Sequence, residues 1–319
     1  MLPEPAAGPP VPEPAKQVFP RARAKRSVAG VGCPHGPLRG ADRARHGRAR
    51  ARYRRFADSL AEAGYAVYAH DQRGHGERPR RRGWFAAEQG WNKVVDDVDT
   101  VRAHAAARHP VVPLLLFGHS MGSFVSRAYL LRHGQGLAGL VLSATGYRQA
   151  WLARLMRRVA GLAGRLGGRL QPNAFMSRLV FGSFNLSFLP ARTAVDWLSR
   201  DAAEVDRYLA DPLCGFHFTP ALWQDLFGGI IALEAGEQRG RNLPRCPVLL
   251  MTGSRDPVSL GHWALRQLAR RYRRAGLDDI TLRVYPGGRH EMLNETNREA
   301  VTADILAWME RVGVAGRTG

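Results

Sequence analysis

Residues 111–122 constrain the fold of this chain more than any other segment. Val111 to Phe117 form a continuous apolar run, which is typical of a strand buried on both faces of a parallel sheet. Gly118-His119-Ser120-Met121-Gly122 follows at once and leads into a helical pattern that extends to about residue 133. Small residues on either side of a serine permit a sharp strand-to-helix turn that raises the serine hydroxyl above the sheet. The segment therefore predicts a buried strand, a tight turn at Ser120 and a helix.

The same alternation of helices and apolar strands recurs on both sides of this segment. Strand-like runs at 65–69, 137–142, 248–251 and 280–284 alternate with helical patterns. We therefore predict an α/β fold with a mostly parallel sheet flanked by helices. Residues 146–242 contain helical segments only, as an inserted lid would. We expect four segments: a basic, Pro-rich and irregular stretch over 1–49, the first part of the α/β domain over 50–145, a helical lid over 146–242, and the second part of the domain over 243–319.

Cysteine spacing and apolar patterning indicate the cellular compartment in which the chain folds. The chain of 319 residues has three widely spaced cysteines, which fit neither a disulfide framework nor a metal site and favour a reducing compartment. Residues 1–20 lack the basic start and apolar core of a secretory signal, and no apolar run approaches the ~20 residues of a membrane span. We therefore expect a cytoplasmic protein, with peripheral membrane contact left open.

Positive charge is the unusual property of the composition. The formal net charge is +20, and arginine supplies nearly all of the 47 basic residues. A nucleic-acid-binding protein usually gathers its basic residues on one face or tail, whereas most of these arginines are scattered between apolar residues along predicted helices. The sequence therefore disfavours nucleic acid as a partner. Binding through a basic tail over residues 1–49 is the alternative that stays open.

Two further side chains complete a pattern that can activate a serine. A serine hydroxyl is a poor nucleophile unless a base takes its proton and a third group orients that base. Asp256 and His290 follow Ser120 in the order serine, acid, histidine, and each lies just past a predicted strand, where parallel sheets bind ligands. The sequence therefore predicts Ser120, Asp256 and His290 as a catalytic triad that requires no cofactor or metal. His119 and His75 are interpreted as structural histidines near the site.

Several motifs beyond the triad resemble one branch of the α/β-hydrolase superfamily. They are Gly64 to Gly76, which ends in Arg-Gly-His-Gly, together with Arg52 to Ala57, Asp196 to Asp201, and Asp211 to Cys214. From about residue 50 to 313 the chain resembles the branch of monoacylglycerol lipases, lysophospholipases and serine aminopeptidase-type hydrolases. This resemblance implies an α/β-hydrolase fold and a small-molecule acyl ester as the substrate.

The resemblance fails upstream of residue 50. In this branch a hydrophobic strand ends in a His-Gly loop, and the next residue donates a backbone N–H to the oxyanion hole. Met121 is expected to supply the donor that follows the serine, and Arg48, after His46-Gly47, is the candidate for the other. Residues 36–45 lack the pattern of a buried strand. A catalytically impaired hydrolase is therefore one alternative, because losing one donor costs ~100- to 1,000-fold in rate.

The abrupt loss of the family pattern upstream of residue 50 suggests an altered reading frame or a misassigned start. A genuine basic tail is the other explanation.

The lid sequence bears on the substrate. Between arginines, residues 151–170 carry apolar side chains at helical spacing: Trp151, Leu152, Leu155, Met156, Val159, Leu162, Leu166 and Leu170. This basic amphipathic helix either packs on the domain, which we favour, or lies on an anionic lipid surface. Abundant aromatic residues in the lid suit an apolar acyl pocket.

These features favour hydrolysis of a monoacylglycerol or lysophospholipid. The alternative is a serine aminopeptidase, in which carboxylates hold the substrate ammonium; the candidates are Asp201, Glu204, Asp206 and Asp211. A solvated acidic face is the simpler interpretation of these four residues. Neither the acyl length, the head group nor the oligomeric state follows from the sequence.

Overall fold

The computed structural model describes residues 26–31, 51–77, 79–147, 150–240 and 243–315 of the chain. Within them the strands are β1 (Arg26–Val31), β2 (Tyr65–Ala69), β3 (Leu114–His119), β4 (Leu137–Ser143), β5 (Val248–Gly253) and β6 (Ile280–Tyr285). The helices are α1 (Ala51–Glu62), α2 (Gly90–Arg108), α3 (Met121–His133), α4 (Ala150–Gly167), α5 (Ala174–Asn185), α6 (Ala202–Ala210), α7 (Pro220–Arg239), α8 (Trp263–Arg274) and α9 (Arg298–Ala315). No helix in these ranges is long and apolar enough to span a membrane.

Helices cover both faces of a parallel sheet. The six strands pair in the order β2-β1-β3-β4-β5-β6, and every pair is parallel. One hydrophobic cluster joins the sheet to α2, α3, α7 and α8, and a second joins it to α1 and α9 through residues such as Leu60 and Trp308. β3 and β5 are buried at every position, as strands covered on both faces must be. The predicted α/β fold is confirmed.

From residue 50 onward the predicted elements agree with the structure to within about three residues, and the difference at the start of β3 has a clear cause. The apolar run predicts a strand from Val111, but β3 begins at Leu114. Val111 is 91% exposed. Pro113 has no amide hydrogen to donate to a neighbouring strand, so the ladder starts only after it.

The N-terminal stretch contains a strand that the sequence patterning does not predict. Residues 1–49 are expected to be irregular, and this expectation is wrong for Arg26–Val31, which forms β1 between β2 and β3. Backbone hydrogen bonds to both neighbours hold a central parallel strand, and these bonds require no apolar period in the sequence. The central strand is thus present upstream of residues 36–45, the segment that fails the pattern of a strand. The other residues of 1–49 lie outside the described ranges.

The strand order fixes where a ligand can bind. From β1 the chain passes to β2 on one side and then crosses to β3 on the other side of β1. The crevice outside the carboxyl ends of the strands at such a reversal is the usual ligand site of a parallel α/β sheet. Ser120 directly follows β3 and therefore lies at this crevice.

Helices α4–α7 lie between β4 and β5 in the chain, and we call residues 150–240 the helical insertion. α4 packs against α7 through small residues: Ala153 and Ala160 are buried, and a Cβ at Gly161 would lie 2.9 Å from the Gln224 amide. Five of the large apolar residues of α4 are exposed instead: Trp151, Leu152, Leu155, Leu162 and Leu166. The interpretation that the apolar stripe packs on the domain is therefore wrong for these five residues, although Met156 and Val159 of the same stripe do pack against the core.

A buried ion pair ties the insertion to the helix that follows Ser120. Arg127 of α3 donates to both carboxylate oxygens of Glu237 of α7, at 2.9 and 2.7 Å, and both side chains are fully buried. Arg127 also donates to Thr145 Oγ1 at 3.0 Å, and the Tyr272 hydroxyl donates to Glu237 at 2.9 Å. Burial opposes the charge on Arg127, but the Glu237 carboxylate outweighs it and raises the pKa of Arg127. The two parallel hydrogen bonds of the pair and the additional bonds from Arg127 and Tyr272 thus offset the cost of removing both charges from water.

We predict that Arg127→Met lowers the free energy of unfolding by about 3–5 kcal/mol, because it leaves the Glu237 carboxylate buried without a counter-charge. Urea denaturation of the variant and the wild type measures the difference. The double variant Arg127→Met, Glu237→Leu removes both charges and should recover most of the loss. A single variant as stable as the wild type would contradict the assigned role.

Candidate active site

Ser120 occupies the turn between β3 and α3 in a strained conformation. Its φ of 51° and ψ of −122° place a residue with a side chain in a sparsely populated region, at a cost of about 1–3 kcal/mol. Backbone bonds hold the turn: the Ser120 N–H donates to the Ser143 carbonyl at 2.9 Å, and the Ser123 N–H donates to the Ser120 carbonyl at 2.8 Å. The serine is therefore fixed at the carboxyl end of β3.

Close packing around this turn explains the glycine at position 118. A Cβ on Gly118 would lie 2.3 Å from Ser126 Oγ and 2.6 Å from the Gly122 carbonyl oxygen. The carbonyl belongs to the backbone of α3, so it cannot move aside without displacing the helix. The glycine thus allows α3 to begin directly after Ser120.

Gly118→Ala should lower the free energy of unfolding by about 1–3 kcal/mol, because the added methyl overpacks the turn against the α3 backbone. Gly182→Ala is the matched control, since a Cβ at this exposed helical position would meet no atom within 4 Å. The control should be neutral or stabilising by up to about 1 kcal/mol through helix propensity. Thermal or urea unfolding of both variants tests the difference, and equal effects would count against it.

Asp256 follows β5, and both of its carboxylate oxygens accept hydrogen bonds. Oδ1 accepts from the Val258 N–H at 3.0 Å and faces His290 Nδ1 at 2.9 Å. Oδ2 accepts from the Thr252 hydroxyl at 2.8 Å, and Ser259 Oγ lies 2.7 Å from that hydroxyl. An ionised carboxylate only accepts hydrogen bonds, so His290 Nδ1 must carry the proton and Nε2 is left as an acceptor. Thr252 and Ser259 are missed by motif reading, although both lie within four residues of Asp256.

His290 is held between its own loop and the insertion. Its backbone N–H donates to the Trp197 carbonyl at 3.3 Å. Its ring centroid lies 4.8 Å from the rings of Trp197 and His119. The loops that carry Asp256 and His290 also touch, since a Cβ on Gly253 would lie 2.1 Å from the Gly288 carbonyl oxygen. Backbone contacts therefore set the position of the imidazole, which is 2% exposed.

The structure brings the three predicted residues together at the carboxyl edge of the sheet. Ser120 and His290 line one pocket, and Asp256 is hydrogen-bonded to His290. The rest of the pocket wall is mainly apolar and comes mostly from the insertion: Phe181, Trp197, Leu198, Tyr208, Phe216 and Phe218. The sequence shows that the insertion is rich in aromatic residues, but it does not show which of them line the pocket.

The two candidate oxyanion donors differ in what the structure shows. Met121 is the first residue of α3, so its amide N–H has no partner within the helix and can serve an anion at the helix N-terminus. Arg48 lies outside the described residues. The arrangement therefore offers one such donor directly after Ser120.

The neighbouring histidines are engaged in local contacts. His119 Nδ1 lies 3.1 Å from Ser143 Oγ. His75 Nδ1 donates to the Arg73 carbonyl at 2.9 Å, and its ring packs among three aromatic rings: Phe85, Phe216 and Phe218. Burial lowers the pKa of His75 to about 4, although the bond to the Arg73 carbonyl opposes the shift. His75 is therefore neutral at pH 7.

Arginines pair with three of the four carboxylates considered for ammonium binding. Glu204 accepts from Arg55 at 2.5 Å and also from Arg207. Asp201 accepts from Arg298 at 2.8 Å, and Asp206 accepts from Arg192 at 2.7 Å. The fourth, Asp211, accepts from the Leu213 N–H at 2.9 Å. In the described part of the chain the acidic residue that lines the pocket is Glu291, which accepts from Arg52 and Asn294.

Comparison with known proteins agrees with this architecture. Residues 44–297 match the family model described as serine aminopeptidase, S33. The chain belongs to this family. It is 29% identical to a monoacylglycerol lipase of Mycolicibacterium smegmatis over 303 residues, which cover 90% of this chain and 97% of that protein. It is also 29% identical to a human monoglyceride lipase over 289 residues, which cover 83% of this chain and 80% of that protein.

Solved structures show the same fold. A carboxyl esterase from Bacillus coagulans superimposes with a TM-score of 0.80 at 23% identity, covering 92% of each chain. A lipase in an open form superimposes with a TM-score of 0.76 at 25% identity, covering 93% of each chain. The predicted superfamily and branch are confirmed, and the chain is a hydrolase with monoacylglycerol lipases among its relatives.

Proposed function

We propose that this hydrolase cleaves carboxylic esters of lipid-like substrates, a monoacylglycerol or a lysophospholipid, through an acyl-enzyme on Ser120. The observation that carries the proposal is the pocket that joins Ser120 to His290 and is walled by apolar and aromatic side chains. Such a wall accepts an acyl chain and gives little stabilisation to a charged substrate. Relatives with the names monoacylglycerol lipase and monoglyceride lipase support the same substrate class.

The geometry supports a proton path for this reaction. Because Asp256 holds the proton on Nδ1 of His290, Nε2 is free to take the proton from the Ser120 hydroxyl as it attacks the ester carbonyl. The Met121 N–H stabilises the oxyanion at the start of α3. His290 then gives its proton to the leaving alcohol, and a water activated by the same imidazole hydrolyses the acyl-enzyme.

The charges around the pocket disfavour the aminopeptidase alternative. Recognition of a substrate ammonium requires a carboxylate whose charge is not already compensated. Glu204, Asp201 and Asp206 are each paired with arginine, and the Glu291 carboxylate at the pocket accepts from Arg52. An ammonium would have to displace these arginines, so ester hydrolysis is the better supported function.

Ser120→Ala should lower kcat for p-nitrophenyl butyrate and for monobutyrylglycerol by at least about 1,000-fold, since the nucleophile is lost. A fluorophosphonate probe should label the wild type and fail to label the variant. Ser183→Ala, at an exposed serine of α5, is the matched control and should behave as the wild type. Equal hydrolysis by wild type and Ser120→Ala would overturn the assignment. Faster cleavage of an aminoacyl p-nitroanilide than of either ester would favour the aminopeptidase.

A second proposal concerns the surface of the insertion. We propose peripheral contact with an anionic lipid surface through residues 151–170. Apolar side chains are exposed there beside exposed arginines: Trp151, Leu152, Leu155, Leu162 and Leu166, with Arg154, Arg157, Arg158, Arg165 and Arg169. An exposed apolar patch flanked by cations is suited to burial in the headgroup region of an anionic membrane.

Leu162→Ser, Leu166→Ser should weaken sedimentation of the protein with vesicles of phosphatidylcholine and phosphatidylglycerol, because less apolar surface enters the interface. Val111→Ser is the control, since Val111 is an exposed apolar residue outside the insertion. Binding should also fall as salt rises from 0.05 to about 0.5 M. Vesicle binding that is unchanged in the double variant would contradict the assigned surface.

A further inference from the structure

One buried donor at the pocket has no partner in the described part of the chain. Trp197 is 5% exposed, and its indole Nε1 is buried without a hydrogen-bond acceptor among those residues. Its backbone is fixed at both ends, because the N–H donates to Asn185 Oδ1 at 3.0 Å and the carbonyl accepts from the His290 N–H. A buried N–H left without an acceptor is costly, so such groups are uncommon unless a ligand or water pairs with them.

The other polar side chains around the pocket are engaged. Glu291 accepts from Arg52 and Asn294, and His119 contacts Ser143. The Tyr208 oxygen is hydrogen-bonded to the backbone of Gly215. Among the described residues that line the pocket, Trp197 therefore carries the one buried side-chain polar atom that lacks a hydrogen-bond partner, its indole N–H.

The position of the indole selects the part of the substrate that it can meet. Its ring lies 4.8 Å from the His290 ring. His290 must reach the leaving oxygen in order to protonate it, so the alcohol half of the ester lies beside the indole. An acyl chain offers no acceptor, and the carbonyl oxygen is bound at the oxyanion hole. The available acceptors are therefore the oxygens of the alcohol.

We propose that the Trp197 N–H donates a hydrogen bond to a free hydroxyl of the leaving alcohol, which makes Trp197 a residue that determines specificity for polyol esters. The inference rests on the proposed ester hydrolysis. It extends that function by requiring an alcohol with a hydroxyl next to the ester bond, a feature shared by monoacylglycerols and lysophospholipids. An ester of a simple alcohol lacks this acceptor and leaves the donor unpaired, which is the situation in which polar sites discriminate most strongly.

The test compares two soluble esters that share an acyl group, monobutyrylglycerol and methyl butyrate. Trp197→Phe removes the donor and keeps an aromatic ring. Replacement of Trp197 by benzothienylalanine, in which sulfur takes the place of the N–H, removes the donor with little change in shape and serves if the phenylalanine variant fails to fold. Phe184→Leu is the control, because the Phe184 ring packs edge-on against the same indole at 5.0 Å and carries no donor.

The readout is kcat/KM for monobutyrylglycerol divided by kcat/KM for methyl butyrate. We expect this ratio to fall roughly 10- to 100-fold in both Trp197 variants and to stay unchanged in Phe184→Leu, even where both rates fall. A wild-type enzyme that hydrolyses both esters, with an unchanged ratio in folded Trp197 variants, would overturn this inference alone. A wild type that hydrolyses neither ester and takes no fluorophosphonate label would overturn the proposed function and this inference with it.

Discussion

Arginine–carboxylate pairs connect the helical insertion, which builds most of the pocket wall, to the elements that carry Ser120 and His290. Arg127 and Glu237 join the helix after Ser120 to α7. On the other side of the site, Arg200 of the insertion donates to Glu295, five residues after His290, at 2.9 Å. Arg298 and Asp201 make a third connection at 2.8 Å. Since the apolar wall of the pocket is built mostly from the insertion, these pairs contribute to placing that wall beside Ser120 and His290.

These pairs also give a structural meaning to the excess of arginine. Guanidinium groups can donate to a carboxylate through two parallel bonds and to carbonyls at the same time, which suits them to buried positions where lysine would leave acceptors unpaired. Arg127 and Arg52 are both buried and both bind glutamates. Part of the basic composition therefore lies inside the fold. Composition alone cannot distinguish such interior cations from a surface that attracts nucleic acid.

The sequence predicted those features whose determinants are local. Ser120 is specified by its flanking glycines and by an adjacent apolar strand, and each triad partner lies within a few residues of a strand end. The choice of Trp197 for the pocket depends on contacts between distant elements, which no spacing rule contains. The bond from Thr252 to Asp256, four residues away, depends on side-chain orientations that spacing does not specify. β1 was missed because pairing with two neighbouring strands, rather than an apolar period, defines it. The exposure of the large residues of α4 was missed because the packing of one helix depends on the surface of another.

The contact between the loops of Asp256 and His290 has a consequence for motion. The Arg255 N–H donates to the Gly288 carbonyl at 2.9 Å, and the Ser254 N–H donates to the Tyr285 carbonyl at 2.9 Å. These bonds join the ends of two adjacent strands, whereas Ser120 stands at the end of β3, on the far side of β4. We therefore expect Asp256 and His290 to move together when this edge of the sheet fluctuates. Such fluctuations would change the distance between the His290 imidazole and Ser120 while the Asp256–His290 hydrogen bond stays intact. They would therefore control the first proton transfer, from Ser120 to His290, and leave the tautomer of His290 unchanged.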